Sequence, residues 1–454
     1  MARTRTTYRC RGCGAESAQW LGRCPDCEEW GSLEEFVVRP PVQVGGAAGR
    51  RAVVEGPVGE PCPIADVPVS GAPRRATGIG ELDRVLGGGF TEGSTTLLGG
   101  EPGIGKSTLL LQALGRLAAA GHRCLLVGAE ESPEQVRGRA ERLGALHPEL
   151  WLVAEASLPS VVAHVEAVRP AVLAVDSVQT LLDPELPGTP GSVTQVRECA
   201  SRLTRLAHDH AMATILIGHV TKDGSLAGPR QLEHVVDTVC SFEGERSHGL
   251  RFLRAQKHRF GSTREVGIFE MTDDGLAAVP DASALFLADR REGATGSVVA
   301  ATVEGARPML VEVQALVAPR DDGARRVATG LDANRLSMLL AVLERHAALD
   351  TRRADVYASI AGGVRVADPG VDLAVLAAVA GVAGDRVVAP RTILIGEVGL
   401  GGEVRGVAHA ALRLGEAARL GFDRVVGPSS LAAVPGIEVV AVDTVAEALR
   451  AVFA

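Results

Sequence analysis

The run Ser94-Thr95-Thr96-Leu97-Leu98-Gly99-Gly100-Glu101-Pro102-Gly103-Ile104-Gly105-Lys106-Ser107-Thr108 decides the fold. Ser94–Gly100 reads as a buried strand, and STLLLQALGRLAAAG from Ser107 to Gly121 reads as a helix. Between them Gly100 to Ser107 fits GxxxxGK[ST], the phosphate-binding loop that joins a strand to a helix. Its glycines let backbone N–H groups turn inward around phosphates. Lys106 reaches the β and γ oxygens, and the Ser107 hydroxyl ligates Mg²⁺. Gly100, Glu101, Pro102, Gly103, Ile104, Gly105, Lys106, Ser107 and Thr108 are therefore the expected nucleotide-binding residues. A chance glycine-rich turn lacks this strand before and helix after.

Outward from the loop, compact apolar runs alternate with helical stretches. RCLLVGAE, AVLAVDS and ATILIGHV are such runs, and with STTLLGG they make a parallel α/β sheet over residues 72–284. Asp176, at the end of AVLAVDS, stands where a Walker B aspartate holds Mg²⁺ opposite the loop. Glu130 and Glu131 follow the neighbouring run. One of them orients the attacking water, Glu130 first and Glu131 as the alternative, unless both simply favour the start of the helix at Ser132-Pro133. His219, ending ATILIGHV, is either a γ-phosphate sensor or an ordinary hydrogen-bonded histidine at a strand end.

The chain has 454 residues, enough for two or three domains, with 46% hydrophobic and 22% charged residues. Every apolar run is broken by charge or glycine within about 18 residues, so no membrane span is expected. The start, MARTRTTYRCRGC, has no apolar signal core, which predicts a cytoplasmic protein. The net charge of −8 does not advertise nucleic-acid binding, although a narrow basic channel is compatible with it. Four of eight cysteines fall in the first 27 residues as Cys10-x₂-Cys13 and Cys24-x₂-Cys27. Four thiolates on two tight turns suit tetrahedral Zn²⁺, and two pairs together favour zinc over a redox CxxC. Residues 1–38 are therefore read as a zinc ribbon that most of the rings of Tyr8, Trp20, Trp30 and Phe36 pack, base stacking being the lesser reading. Arg3, Arg5, Arg9 and Arg11 either touch phosphate or belong to a solvated terminus. Residues 39–71, rich in Pro, Gly, Ala and Val, read as an extended linker, and 285–454 form a further mixed α and β domain.

At this point the sequence resembles a family. TGIGELDRVLGGGFTEGSTTLLGGEPGIGKSTLL, GAEES, AVDSVQT, GSVTQVRE and GHVTKDGSLAGPRQLEH, in that order, are similar to the ATPase core of the bacterial RadA (Sms) recombination proteins, which is of the RecA type. Lys257-His258-Arg259-Phe260-Gly261 matches the family's Lys-Asn-Arg-Phe-Gly except for His258. The resemblance implies that Lys257 and Arg259 act across a subunit interface on a neighbour's nucleotide, against the bland reading of a solvated charge pair. Residues 285–454 resemble the proteolytic domain of Lon, with Val371 at the serine position and Ala411 at the lysine position, so the dyad is missing. The domain's expected role is to hold the oligomer and to offer a basic surface to DNA.

The family implies a DNA-stimulated ATPase of homologous recombination and repair. It would be a homo-hexameric ring that drives branch migration on single-stranded and branched DNA, working with the recombinase RecA and using ATP, Mg²⁺ and Zn²⁺. The loops Pro187–Gln195 and Thr221–Arg230, with Lys222 and Arg230, are candidate DNA contacts, though any surface loop has their composition. Two rival classes remain: an ATP-driven remodelling or proteolytic machine, and a signalling ATPase that does not work on DNA. ATP turnover with and without single-stranded DNA separates them.

Overall fold

Strand Thr95–Gly100 is buried at all of its positions, as a strand covered by helices on both faces must be. Leu97 and Leu98 point to opposite faces, and each finds a separate core. On one side Leu98, Leu126, Ala174 and Ile215 meet Leu109, Leu110, Leu114 and Val136 from helices Lys106–Ala119 and Pro133–Arg142. On the other, Leu97, Leu125, Leu173 and Leu216 meet Val161, Val165, Cys199 and Leu203 from helices Leu158–Val168 and Val193–Asp209.

The computed structural model describes residues 5–10, 16–17, 19–20, 22–23, 25, 30, 33–38, 65, 73–219, 232–244, 249–320 and 324–453. The chain divides into two compact units, Met1–Gly71 and Ala72–Ala454. In the first, strands Arg5–Cys10, Glu16–Ser17 and Leu33–Val38 make an antiparallel sheet with Arg5–Cys10 in the middle and Cys10 opposite Leu33. Trp20 and Trp30 do not pack this module as expected. They are 60% and 76% exposed, and the Arg23 guanidinium lies 6.0 Å from the Trp30 ring centre. A module this short encloses too little volume to bury two indoles. Apart from residue 65, the linker expected at 39–71 lies outside the described residues.

The second unit carries two large sheets. The first runs, in order, Leu150–Val153, Cys124–Gly128, Val172–Asp176, Ala213–His219, Thr95–Gly100, Thr238–Glu243, Leu250–His258, Val266–Thr272 and Gly275–Ala278. The first six of these strands are parallel and the last three extend the sheet as antiparallel hairpins. The second sheet has seven strands: Arg326–Thr329, Ala354–Ile360, Arg307–Pro319, Ser297–Glu304, Thr392–Leu394, Arg424–Pro428 and Glu438–Val442. Helices Ala333–Ala347, Asp372–Ala383 and Val445–Val452 pack into one core with it, and Ala410–Arg419 into another. None of the described helices is long and apolar enough to cross a membrane.

The boundary expected between residues 284 and 285 falls inside the short helix Ala282–Leu287, capped by Asp281. One hydrophobic core runs through Val266, Ile268 and Val279 of the first sheet's outer hairpins, through Phe286, and into Val298 and Val311 of the second sheet. At that seam Arg307 and Glu81 form an ion pair, 7% and 2% exposed respectively. Arg307 also donates to the carbonyls of Val266, Val279 and Pro280 at 2.8–3.1 Å. Glu81 also accepts from Ile268 N at 2.9 Å. Removing Arg307 leaves the buried Glu81 to Ile268 N and to the partly exposed Arg84, 3.4 Å away, so Arg307→Ala should lower the unfolding free energy by about 3 kcal/mol. A fall in the urea midpoint checks this. An unchanged midpoint would show that the pair contributes nothing net.

Candidate nucleotide site

The loop after Thr95–Gly100 is shaped by positions that tolerate no side chain. Gly105 has φ 117°, and a Cβ there would stand 2.9 Å from Met271 Cε. A Cβ on Gly100 would come within 2.5 Å of Phe242 O on the adjacent strand. Helix Lys106–Ala119 starts directly after Gly105 with no side-chain cap, so its first N–H groups are left for a ligand. Lys106 is buried, and its Nζ donates to Gly100 O at 2.8 Å and Glu101 O at 2.9 Å. Burial holds its pKa below the usual lysine range, while Asp176 and Glu130 pull the other way. An ammonium resting on loop carbonyls with two carboxylates nearby is placed to exchange those contacts for phosphate oxygens.

Ser107, Glu130, Glu131, Asp176 and Arg139 line a single cleft beside Leu110, Leu126 and Gly128. Strand register explains why. Gly128 pairs with Asp176, and Gly100 pairs with both His219 and Phe242, so the ends of five strands meet at one edge of the sheet. Ligands of open α/β sheets bind there. Ala129 N donates to Asp176 O at 3.2 Å, tying the segment that carries Glu130 to the end of the next strand. Glu131 is committed to Arg139 at 2.6 Å, beside a capping box formed by Ser132 and Gln135. Glu130 instead accepts a hydrogen bond from Ser177, which is joined to Asp176 by a cis peptide bond. A hydroxyl and a carboxylate facing one cleft suit a hard divalent cation such as Mg²⁺. The His219 backbone stands opposite Gly100, and its side chain is outside the described residues.

Lys257 and Arg259 lie at the other edge of this sheet. Lys257 pairs with Val239, which pairs with Leu97, and Arg259 N donates to Asp237 O. Asp237 in turn accepts from Thr95 N, where the loop's strand begins, and its other oxygen meets Arg259 Nη1 at 3.1 Å. At ~3.3 Å per residue, Lys257, level with Leu97, stands about 10 Å along the strand from Gly100 and two strands to one side, and Arg259, beside the start of that strand, about 16 Å. Neither cation therefore reaches its own chain's phosphate site. Lys257 Nζ donates to Glu233 O and Val236 O at 2.5 and 2.8 Å. Burial lowers its pKa, and the Arg259 charge lowers it further. His258, standing at the family's Asn position, bridges Thr238 Oγ1 at 3.0 Å and Leu86 O at 3.2 Å.

One expected DNA-facing loop is shorter than the sequence suggests. Helix Val193–Asp209 begins inside Pro187–Gln195, and Gln195 is fully buried. Its side chain accepts from Asp183 N and donates to Asp183 O and Leu186 O at 2.9–3.1 Å, so it clamps the loop and cannot face DNA. Glycine and serine mask this in the sequence, because the apolar period of the helix only becomes plain from Val196 onward. The segment 221–230, with Lys222 and Arg230, lies outside the described residues, as do Cys13, Cys24, Cys27 and the Cys10 side chain.

No sequence pattern marks Arg251, which is buried and donates Nε to Ile104 O at 3.2 Å, bracing the loop from an antiparallel strand. In the second sheet's domain Val371 is buried at the start of helix Asp372–Ala383 and Ala411 is exposed on helix Ala410–Arg419. Beside Val371, Asp368 pairs with Arg413 at 2.6 Å. Burial pushes the Asp368 pKa up, but the Arg413 hydrogen bond and charge outweigh it and hold it low.

This fold and this cleft define a P-loop ATPase of the RecA and KaiC type, and the comparisons agree. The KaiC ATPase family matches residues 75–151, and the rubredoxin metal binding domain matches residues 8–35. DNA repair protein RadA of Streptococcus pyogenes serotype M6 is 46% identical over 458 residues, covering 100% of both chains. The RadA of Bacillus subtilis strain 168 is 45% identical over 459 residues, covering 99% of each. That of Listeria monocytogenes is 45% identical, covering 99% of this chain and 98% of its own. The chain belongs to the RadA family of DNA repair proteins. Its cofactors are ATP with Mg²⁺ and, in the N-terminal ribbon, Zn²⁺.

Metal analysis of the purified chain should find about one zinc per chain, lost in Cys10→Ser or Cys27→Ser. A protein without zinc would revive the redox reading of the two CxxC pairs.

Proposed function

We propose that this chain is a DNA-stimulated ATPase that works as a head-to-tail hexameric ring on single-stranded and branched DNA. In this reading it promotes branch migration of strand-exchange products made by the recombinase RecA. The observation that carries the ring is the distance of Lys257 and Arg259 from their own phosphate loop. The DNA role rests on the family, whose curated members are named DNA repair proteins.

The chemistry follows from the cleft. Lys106 leaves the loop carbonyls for the β and γ phosphates of ATP. Ser107 and Asp176 would hold Mg²⁺, which supplies charge neutralisation on the phosphates. Glu130 takes a proton from the attacking water as its oxygen bonds the γ-phosphorus. The bond from that phosphorus to the bridging oxygen breaks, and its electron pair leaves with ADP. Glu130 is preferred to Glu131 because Arg139 already occupies the latter. A neighbour's Lys257 and Arg259 meet the charge that develops on the transferring group.

The protease rival lacks its chemistry. Neither Val371 nor Ala411 can take part in acyl transfer, and Arg413, held by Asp368 and the carbonyls of Ala301 and Ala408, makes a poor base. Purified protein should leave casein intact with or without ATP, and ATP-dependent degradation sensitive to substitution near Val371 would promote that rival. Single-stranded DNA should raise ATP turnover. A turnover rate indifferent to DNA would favour the signalling ATPase.

Mixing tests the interface. Lys106→Ala and Arg259→Ala chains should each be inactive alone, because each lacks one half of every site. Mixed rings contain some interfaces where an intact loop meets intact cations, so partial turnover should return. Co-assembled mixtures that stay inactive while a wild-type and Lys106→Ala mixture turns over would count against action in trans.

A further inference from the structure

We propose that Ser177 is a positioning residue for hydrolysis, whose hydroxyl holds the Glu130 carboxylate in the orientation and charge state that accept the proton of the attacking water. This rests on the reading of Glu130 as the base. Ser177 has no exposed surface, and it stands between the half-buried Asp176 and the buried Val178. A hydroxyl in such a place needs a partner, and its partner is Glu130 Oε1, 47 positions away in the chain.

The donor has a fixed origin. Val178 N donates to Ile217 O at 3.0 Å on the adjacent strand, and the Ser177 carbonyl accepts from Thr180 Oγ1 at 2.7 Å. The acceptor is different, because Glu130 is exposed beyond the end of its strand, on a side chain with several rotamers. Ala129 N ties the backbone of that segment to Asp176 O, and the Ser177 hydroxyl ties the carboxylate itself. Two neighbouring residues of one strand end thus fix both the segment and the head of the glutamate. A donor to a carboxylate also favours its ionised form, the only form that can act as a base. Lys106, Asp176, Glu131 and Arg139 are the other charged groups around the cleft. Glu131 and Arg139 neutralise each other.

The test uses the full-length, zinc-loaded chain with ATP, Mg²⁺ and single-stranded DNA. Ser177→Ala should lower kcat about tenfold to a hundredfold with KM for ATP within about twofold, since a charge-assisted hydrogen bond is lost from the reacting group and not from ATP binding. The acidic limb of its kcat–pH profile should move to higher pH, because a carboxylate stripped of a donor is harder to ionise. Ser177→Thr, which keeps the hydroxyl, should recover most of the rate. Binding of a fluorescent ATP analogue at wild-type affinity shows that Ser177→Ala is folded; a Ser177→Ala chain that fails this check is replaced by Ser177→Cys, a weaker donor, with the same expectations at smaller amplitude. In a Glu130→Gln background, Ser177→Ala should add no further loss. A wild-type kcat in Ser177→Ala, or an equal further loss in the Glu130→Gln background, overturns the proposal and leaves the base reading standing. Glu130→Gln turning over at the wild-type rate overturns the base reading instead.

Discussion

Two charges buried between the sheets, Arg307 and Glu81, bridge them within the compact unit 72–454. Such a pair is costly to desolvate and is tolerated only when its remaining donors and acceptors are met. Here they are met by the Val266, Val279 and Pro280 carbonyls and by Ile268 N, all backbone atoms of the first sheet's outer strands or the turn after them. Because the partners are backbone, the pair locks the position of elements, not just of side chains. Gly305 tightens the same seam, since a Cβ there would stand 2.0 Å from Arg264 O. Arg254 adds an ion pair to Glu304 at its edge. The C-terminal domain is therefore joined to the strands that also brace the nucleotide loop through Arg251.

That continuity also shows where a domain boundary cannot be read. Composition shifts little around residue 284, and a buried Arg–Glu pair looks in sequence like two ordinary surface charges 226 positions apart. The phosphate loop was legible because its function needs particular residue types at fixed spacing. The strand end at Asp176 and the acid just beyond the strand at Glu130 were legible because a short apolar run followed by an acid is a local pattern. Ser177, Arg251 and Gln195 were not, since each acts by meeting a partner distant in the chain or by being buried against the usual habit of its residue type. Trp20 and Trp30 misled for the reverse reason. Aromatic rings are core-formers by habit, and only the small size of the ribbon leaves them exposed.

Around Val371 the C-terminal domain ties its polar groups into the scaffold. Asp368 accepts from Thr302 Oγ1, Val303 N and Gly370 N and pairs with Arg413. Asp372 accepts from Arg335 and from Val398 N. Its pKa is nonetheless raised by burial, which outweighs the Arg335 hydrogen bond. Polar groups on both sides of Val371 are thus tied into the scaffold.

The strand order of the first sheet also constrains assembly. A P-loop at one edge and Lys257 with Arg259 at the other cannot meet within one chain, however the side chains move. In the head-to-tail arrangement proposed above, the cation edge of one copy would lie against the loop edge of the next. Such a heterologous contact repeats until it closes into a ring or runs on as a filament. A ring on this plan needs no separate device to couple its nucleotide sites, because each site would be built from two copies. His258, bonded to Thr238 on the sheet and to Leu86 O at the end of helix Gly80–Val85, ties the cation edge to the helix that carries Glu81. A shift at that edge would then be felt at the seam with the C-terminal domain, through one short helix.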